Sequence, residues 1–214
     1  MNKLLTPLLC YVTHDQESPV DQARAALEGG AGMIQLRHKS ASGSSLAAWA
    51  REIQDLCTRY NALFIVNDRL DIAMVTEARG VHLGQEDIPV DQAQKIFRPD
   101  GIIGCSCDTL EEARKAEQDG ADYIGLGHIF PTGSKQKNGP PLGPGYITRV
   151  KHELRIPVIA IGGITHENAR DVMLAGADGI AVISAIGMAS DPVKATAELK
   201  KILQEAVKEK ECET

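Results

Sequence analysis

Three side chains spaced two apart, Gln35, Arg37 and Lys39, share one face of any extended strand, while Ile34 and Leu36 fall on the other. An arginine beside a lysine can hold an anion such as a diphosphate, the guanidinium through a forked pair of hydrogen bonds and the ammonium as a mobile point charge. A polar strand end tied up in salt bridges with neighbouring acids is the alternative for the same trio. Farther along, Asn67-Asp68 and Gly84-Gln85-Glu86-Asp87 close two consecutive apolar runs. Carboxylates from two such ends can share a Mg²⁺ that also takes phosphate oxygens, or can work as an acid/base pair. Arg37 and Lys39 close by favour the metal, because both signs of charge suit a diphosphate–metal complex. A second anion site is suggested by Ile161-Gly162-Gly163-Ile164 and Ile183-Ser184-Ala185, where glycine lets backbone N–H groups approach a phosphate. The chain carries no Ser-His-Asp or Cys-His pattern that would supply a nucleophile.

These residues sit at the ends of a regular beat. Eight short apolar runs, at 8–13, 33–37, 63–68, 80–84, 102–106, 123–127, 157–162 and 179–184, are each followed by a helix-like segment. That alternation predicts an α/β fold, a single (β/α)8 TIM barrel over residues 1–214, with the loops after the strands gathered on one face. The 214 residues lie just above the roughly 200 such a barrel needs. The segments GGAGMIQL, GADYIGLG and GADGIAVI repeat a helix end that turns through Gly-Ala into a strand. Helix starts are equally legible in Ser18-Pro19, in Thr109 with Glu112 as a capping box, and in Asp191-Pro192. The beat breaks once, at the Gly- and Pro-rich stretch 131–145, which carries Thr132, Gly133, Ser134 and Lys135. A long irregular connection on the site face reads as a lid or ligand clamp.

Composition narrows the partners. The formal charge is −6 with no basic cluster, which argues against nucleic acid. No apolar run approaches the ~18 residues of a membrane span, and residues 1–6 do not resemble a secretory leader, so a cytoplasmic location is expected. Five cysteines without a CxxC or Cys/His metal spacing read as free thiols. His82, inside the fourth run, reads as a hydrogen-bonded interior residue. Trp49 is expected on the barrel exterior, where it packs on neighbouring helices or meets another subunit of a homo-oligomer.

Taken in order, QLRHK (35–39), NDR (67–69), GVHLGQED (80–87), GCS (104–106), FPTGSK (130–135), IGGI (161–164) and ISAI (183–186) make the chain, over nearly its whole length, resemble the thiamine phosphate synthase family. The resemblance implies transfer of the 4-amino-2-methyl-5-pyrimidinylmethyl group from its diphosphate to the ring nitrogen of a (carboxy)thiazole phosphate, through a pyrimidine-stabilised carbocation. It further implies that Gln35, Leu36, Arg37, His38, Lys39, Asn67, Ser106 and Lys135 surround the pyrimidine diphosphate. Arg37, Lys39, Ser106 and Lys135 among them would stabilise the leaving group, Asp68 and Asp87 would ligate Mg²⁺, and Thr132, Gly133, Ser134, Gly163, Ile183 and Ser184 would hold the thiazole phosphate. Three positions depart from the family's usual residues: His38 for Glu, Asp108 for His, and His128 for Pro. A sister branch, the thiazole tautomerases, typically has His at the last of these as its proton-transfer group, so a tautomerase with His128 as acid/base is the alternative. The retained Asp68, Asp87, Gln35, Arg37, Lys39 and Lys135 favour the synthase. A non-catalytic phosphate-binding barrel fits this charged set less well.

Overall fold

The computed structural model describes residues 4, 6–133 and 139–212. Its strands are β1 (Leu8–Val12), β2 (Met33–Leu36), β3 (Leu63–Asn67), β4 (Gly80–Leu83), β5 (Ile102–Cys107), β6 (Tyr123–Leu126), β7 (Val158–Ile161) and β8 (Gly179–Val182). They pair in sequence order, all parallel, and β1 closes on β8. The helices between them are α1 (Pro19–Glu28), α2 (Gly43–Tyr60), α3 (Leu70–Val75), α4 (Val90–Ile96), α5 (Leu110–Gln118), α6 (Pro144–Glu153) and α7 (Ala169–Leu174); a short α8 (Ser184–Gly187) and the long α9 (Pro192–Cys212) follow β8. The (β/α)8 barrel is therefore present as the alternation requires. Seven strands stop short of the carboxyl ends expected from the apolar runs, because residues such as Thr13, Arg37 and Asp68 leave the ladder and turn over the rim. β5 instead runs one residue longer.

Helix ends explain how so short a chain closes the ring. Residues 30, 61, 77, 120 and 176 all have positive φ, and each is followed by alanine. In every case the alanine N–H reaches back five residues to a helix carbonyl: Ala31 to Ala26, Ala62 to Cys57, Ala78 to Ala73, Ala121 to Ala116 and Ala177 to Val172. This left-handed turn satisfies carbonyls that a helix end leaves open and redirects the chain into the next strand. Glycine serves at three of the positions without a side-chain clash, whereas Asn61 and Glu77 adopt the same backbone. The starts agree with the sequence: Ser18 caps α1 and Thr109 with Glu112 forms a capping box on α5.

The pleat sorts side chains into two cores. Outward residues such as Ile34, Leu36, Phe64, Val66 and Leu83 pack with the helices. Inward residues form a smaller cluster of Leu4, Leu8, Cys10, Val12, Met33, Ile65, Ile102, Tyr123, Ile159 and Ala181. Space inside is tight, and glycine provides it. A Cβ on Gly104 would overlap the Tyr123 ring and stand 2.5 Å from its hydroxyl oxygen, and one on Gly125 would come within 3.0 Å of His82.

Gly104→Ala should lower stability by about 2 kcal/mol through overpacking, read as a lower denaturant midpoint at unchanged slope. Thiol chemistry gives a second check. Cys10, Cys57, Cys105 and Cys107 are buried and Cys212 is exposed, and none is in a disulfide. Burial pushes the Cys57 thiol up to about 12 and holds Cys10 well above the ordinary thiol range, while the hydrogen bond with Cys105, and then burial, hold Cys107 there as well. Native protein at neutral pH should label rapidly at Cys212 alone, and at all five cysteines once unfolded.

Candidate active site

At the carboxyl ends of the strands the barrel opens into a cleft whose walls come from several strands and the loops after them. Tyr123 and His82 lie at its base, Gln35 and Ser106 above them, and Arg37 and Asn67 along one side; His128, Thr132, Gly162, Gly163, Ile183 and Ser184 complete the other. Apolar side chains of the inner cluster, Cys10, Val12, Met33, Ile159 and Ala181, face the same space. One wall thus offers a cation and amide groups. The opposite wall offers backbone and hydroxyls.

The polar groups at the base are linked. The Tyr123 hydroxyl is 3.0 Å from His82 Nδ1, and His82 Nε2 is 2.9 Å from Ser106 Oγ. The Gln35 side chain also hydrogen-bonds Tyr123. Burial holds the Tyr123 phenol well above its usual value, so it keeps its proton.

Arg37 stands just past the end of β2, where the strand ladder has stopped. Its N–H donates to Thr13 Oγ1 at 2.9 Å, and the Thr13 hydroxyl donates to the Arg37 carbonyl at 2.9 Å. Fully buried Thr13 thereby extends the β1–β2 pairing by one residue through its side chain. The Lys39 N–H donates to both oxygens of Asp15, at 3.2 and 3.3 Å. Across the cleft, Gly162 and Gly163 have φ of 98° and 65°. A Cβ at Gly162 would stand 2.5 Å from His128 Cβ, and one at Gly163 2.8 Å from the Phe130 carbonyl oxygen. The Asn168 side chain holds this turn, donating to the Gly163 carbonyl at 3.0 Å and accepting from Thr165 N–H at 2.8 Å.

The irregular loop after β6 is tied by main-chain bonds at both stems. Ile129 and Phe130 donate to Ile161 and Gly162, and Leu142 and Gly143 donate to His128 and Ile129, all at 2.9–3.0 Å.

Other sequence-selected residues lie outside the cleft. Leu36 faces the helices at 1% exposure, and the half-buried His38 ring packs on Trp49 with centroids 5.2 Å apart. Strand alternation turns both away from the Arg37 face, so only their backbone is presented to a ligand. Lys39, Asp68 and Gly133 are exposed on the rim. Asp68 follows β3 in a left-handed conformation, φ 62°, while its neighbour Arg69 is paired with Asp71. Asp87 is fixed by the Gly84 N–H, which donates to its Oδ2 at 2.6 Å. Since β3 and β4 are neighbours, both carboxylates rise from adjacent strand ends. Among the described residues no group of three or more His, Cys, Asp or Glu forms a closed metal cage. Ser134 and Lys135 lie outside the described residues. Sequence reading missed Thr13, Asp15 and Tyr123; Tyr123 carried a signal in Gly104 and Gly125, glycines within strands that mark close approach.

The sequence model for thiamine monophosphate synthase matches residues 9–186. This chain belongs to that family. A thiamine-phosphate synthase of Chlorobium limicola is 54% identical over 202 residues, 94% of this chain and 96% of that one. Among solved structures, thiamine phosphate pyrophosphorylase from Pyrococcus furiosus superposes with a TM-score of 0.86 at 44% identity, covering 94% of this chain and 97% of that one. A 3-hexulose-6-phosphate synthase superposes with a TM-score of 0.68 at 16% identity over 91% of this chain and 99% of that one, a likeness of fold alone. In this thiamine monophosphate synthase family member, the cleft gathers Gln35, Arg37, Asn67, Ser106, Thr132, Gly163, Ile183 and Ser184 of the residues that the resemblance marked for substrate or metal.

Thr13→Val should leave the Arg37 N–H and carbonyl without partners. The expected cost is about 1–3 kcal/mol of stability, together with a raised KM for the diphosphate substrate, measured by denaturation and steady-state kinetics on the same sample.

Proposed function

We propose that the protein is a thiamine phosphate synthase, a transferase that joins 4-amino-2-methyl-5-pyrimidinylmethyl diphosphate to (carboxy)thiazole phosphate and releases diphosphate. The observation that carries this reading is the meeting of Arg37, Asn67 and Ser106 with Gly163 and Ser184 across one cleft, in a chain 54% identical to a thiamine-phosphate synthase. Two phosphorylated substrates need two anion sites facing each other, and the two walls match that need.

The pyrimidine diphosphate lies against Gln35, Arg37, Asn67 and Ser106 with the rim residue Lys39 at its phosphates, and the family resemblance assigns Lys135 to the same phosphates. The thiazole phosphate takes the backbone around Gly163 and Ile183 with the hydroxyls of Thr132 and Ser184, and the family resemblance adds Gly133 and Ser134 to this side. As the carbon–oxygen bond to diphosphate breaks, negative charge grows on the leaving group. Arg37, Lys39 and Lys135 then interact more strongly than in the ground state, which is what lowers a barrier. Alignment of the thiazole nitrogen with the pyrimidine methylene completes the contribution, and no general base is required.

Asp68 and Asp87 suit Mg²⁺, which takes one or two carboxylates and leaves its other positions to phosphate and water. When bound there, Mg²⁺ supplies charge neutralisation to the departing diphosphate. The open arrangement of two acids on adjacent strand ends agrees with that use. The cytoplasm, where both phosphorylated substrates would be at hand, is the matching location, and no helix among the described residues is long and apolar enough to cross a membrane.

The tautomerase alternative draws no support from the relatives, named thiamine-phosphate synthases at 44–54% identity. His128 is then a wall residue of the thiazole side. Purified protein given both substrates and Mg²⁺ should form thiamine phosphate, and a chelator should abolish it. Isomerisation of the carboxylated thiazole phosphate without thiamine phosphate would overturn the reading. Arg37→Ala should lower kcat/KM by roughly 10²–10³-fold, the scale of losing one preorganised charge-stabilising group, and Lys135→Ala should weaken diphosphate handling in the same assay.

A further inference from the structure

The base of the cleft carries a polar chain in which two members, Tyr123 and His82, have no part in the proposed chemistry. Gln35, Tyr123, His82 and Ser106 come from β2, β6, β4 and β5, and the first three are at most 6% exposed. His82 has both ring nitrogens engaged, Nδ1 with the Tyr123 hydroxyl at 3.0 Å and Nε2 with Ser106 Oγ at 2.9 Å. Tyr123 meets His82 on one side and Gln35 on the other. Such a chain has only two consistent proton arrangements, because a neutral imidazole donates from one nitrogen and accepts at the other.

In one arrangement Ser106 donates to Nε2, Nδ1–H donates to the tyrosine oxygen, and Tyr123 donates to the Gln35 carbonyl. That leaves a serine oxygen facing the cleft as acceptor only, and it leaves the glutamine NH₂ facing a ligand. In the other, the Gln35 NH₂ donates to Tyr123, Tyr123 donates to Nδ1, and Nε2–H donates to Ser106. The serine proton is then free to donate into the cleft, and the Gln35 carbonyl oxygen is free to accept from a ligand. A diphosphate beside Ser106 is an acceptor without protons to give, so it selects the second arrangement. With a neutral imidazole at its centre, a buried chain of this kind passes the choice from one end to the other, because reversing one link breaks the rest.

We propose that Tyr123 and His82 are positioning residues, a one-way hydrogen-bond relay that sets Ser106 as donor toward the diphosphate and Gln35 as acceptor toward the amino group of the pyrimidine. This rests on the synthase reading for the identity of the ligand. The relay makes the substrate's two ends cooperate: a phosphate held at Ser106 prepares Gln35 for an N–H donor. A pyrimidine carrying an oxo group in place of the amino group meets an acceptor and is refused.

The test has two arms. In protein with ¹⁵N-labelled histidine, Mg²⁺ and inorganic diphosphate, the His82 signals, assigned by their loss in His82→Gln, should report the neutral Nε2–H tautomer. An Nδ1–H tautomer or an imidazolium would overturn the proposal. In kinetics, Tyr123→Phe, which keeps the ring and removes only the hydroxyl, should lower kcat/KM for the pyrimidine diphosphate about tenfold or more. It should also shrink the amino-over-oxo preference by about tenfold, while KM for thiazole phosphate stays near wild type.

His82→Gln, whose Nε2 can still donate to Ser106, should retain more activity than His82→Leu. Wild-type discrimination in Tyr123→Phe, or equal loss in both His82 variants, would sink the relay. Should Tyr123→Phe fold poorly, the tautomer measurement and the Gln/Leu comparison decide between relay and no relay. Wild-type protein that makes no thiamine phosphate would count against the synthase reading instead, and the tautomer arm would still decide the relay.

Discussion

A closed ring of eight strands has a fixed internal width, and what fills it decides what can stand on top. Here two aromatic side chains, Tyr123 and His82, cross that interior from β6 and β4, and they fit because Gly104 and Gly125 have nothing to put in their way. Ser106 and Gln35 rest on this pair. The apolar residues beneath, from Leu4 and Leu8 up to Ile65 and Ile102, close the lower end against water. A larger residue at Gly104 would displace the floor and every group that takes its bearing from it.

Above the floor, the site is made by residues that have just left regular structure. Arg37, Asp68, Asp87 and Gly163 all lie beyond their strand ends, and Asp68 still donates its N–H to the His82 carbonyl of β4. Contacts made by single side chains hold the rest: Thr13 for Arg37, Asp15 for nearby Lys39, Asp87's own carboxylate on the Gly84 N–H, and Asn168 for Gly163. The irregular backbone needed to bring charge to the rim is held by short polar contacts whose own positions come from the neighbouring strand or turn. Loop residues set this way combine reach with the precision of the barrel.

The barrel was readable because its signals are local and repeated: apolar runs at regular spacing, Gly-Ala helix ends, a Ser-Pro start. The charged face was readable because Gln35, Arg37 and Lys39 obey the period of a strand. Leu36 and His38 show the same rule from the other side, for alternation alone sends them outward. What stayed hidden depended on distant partners. Nothing in the neighbourhood of Thr13 in the sequence says that it will clamp a residue 24 positions away. Asn61 and Glu77 adopt the helix-ending turn without the glycine that advertises it elsewhere. Tyr123 reads as an ordinary strand aromatic, and the glycine opposite it at 104 is the one local hint of the room its ring takes.

The loop after β6 has a consequence of another kind. Its stems are stitched to β7 and to each other by main-chain N–H and carbonyl groups, from Ile129 and Phe130 on one side to Leu142 and Gly143 on the other. Main-chain atoms are common to all residues, so the join asks little of stem side chains beyond glycine at 127, 162 and 163, where neighbours leave no room for a Cβ. The segment is therefore attached in the manner of an interchangeable part. One lineage could trade it for another's while the barrel beneath kept its fit, and new substrate preferences could be grafted on without rebuilding the core.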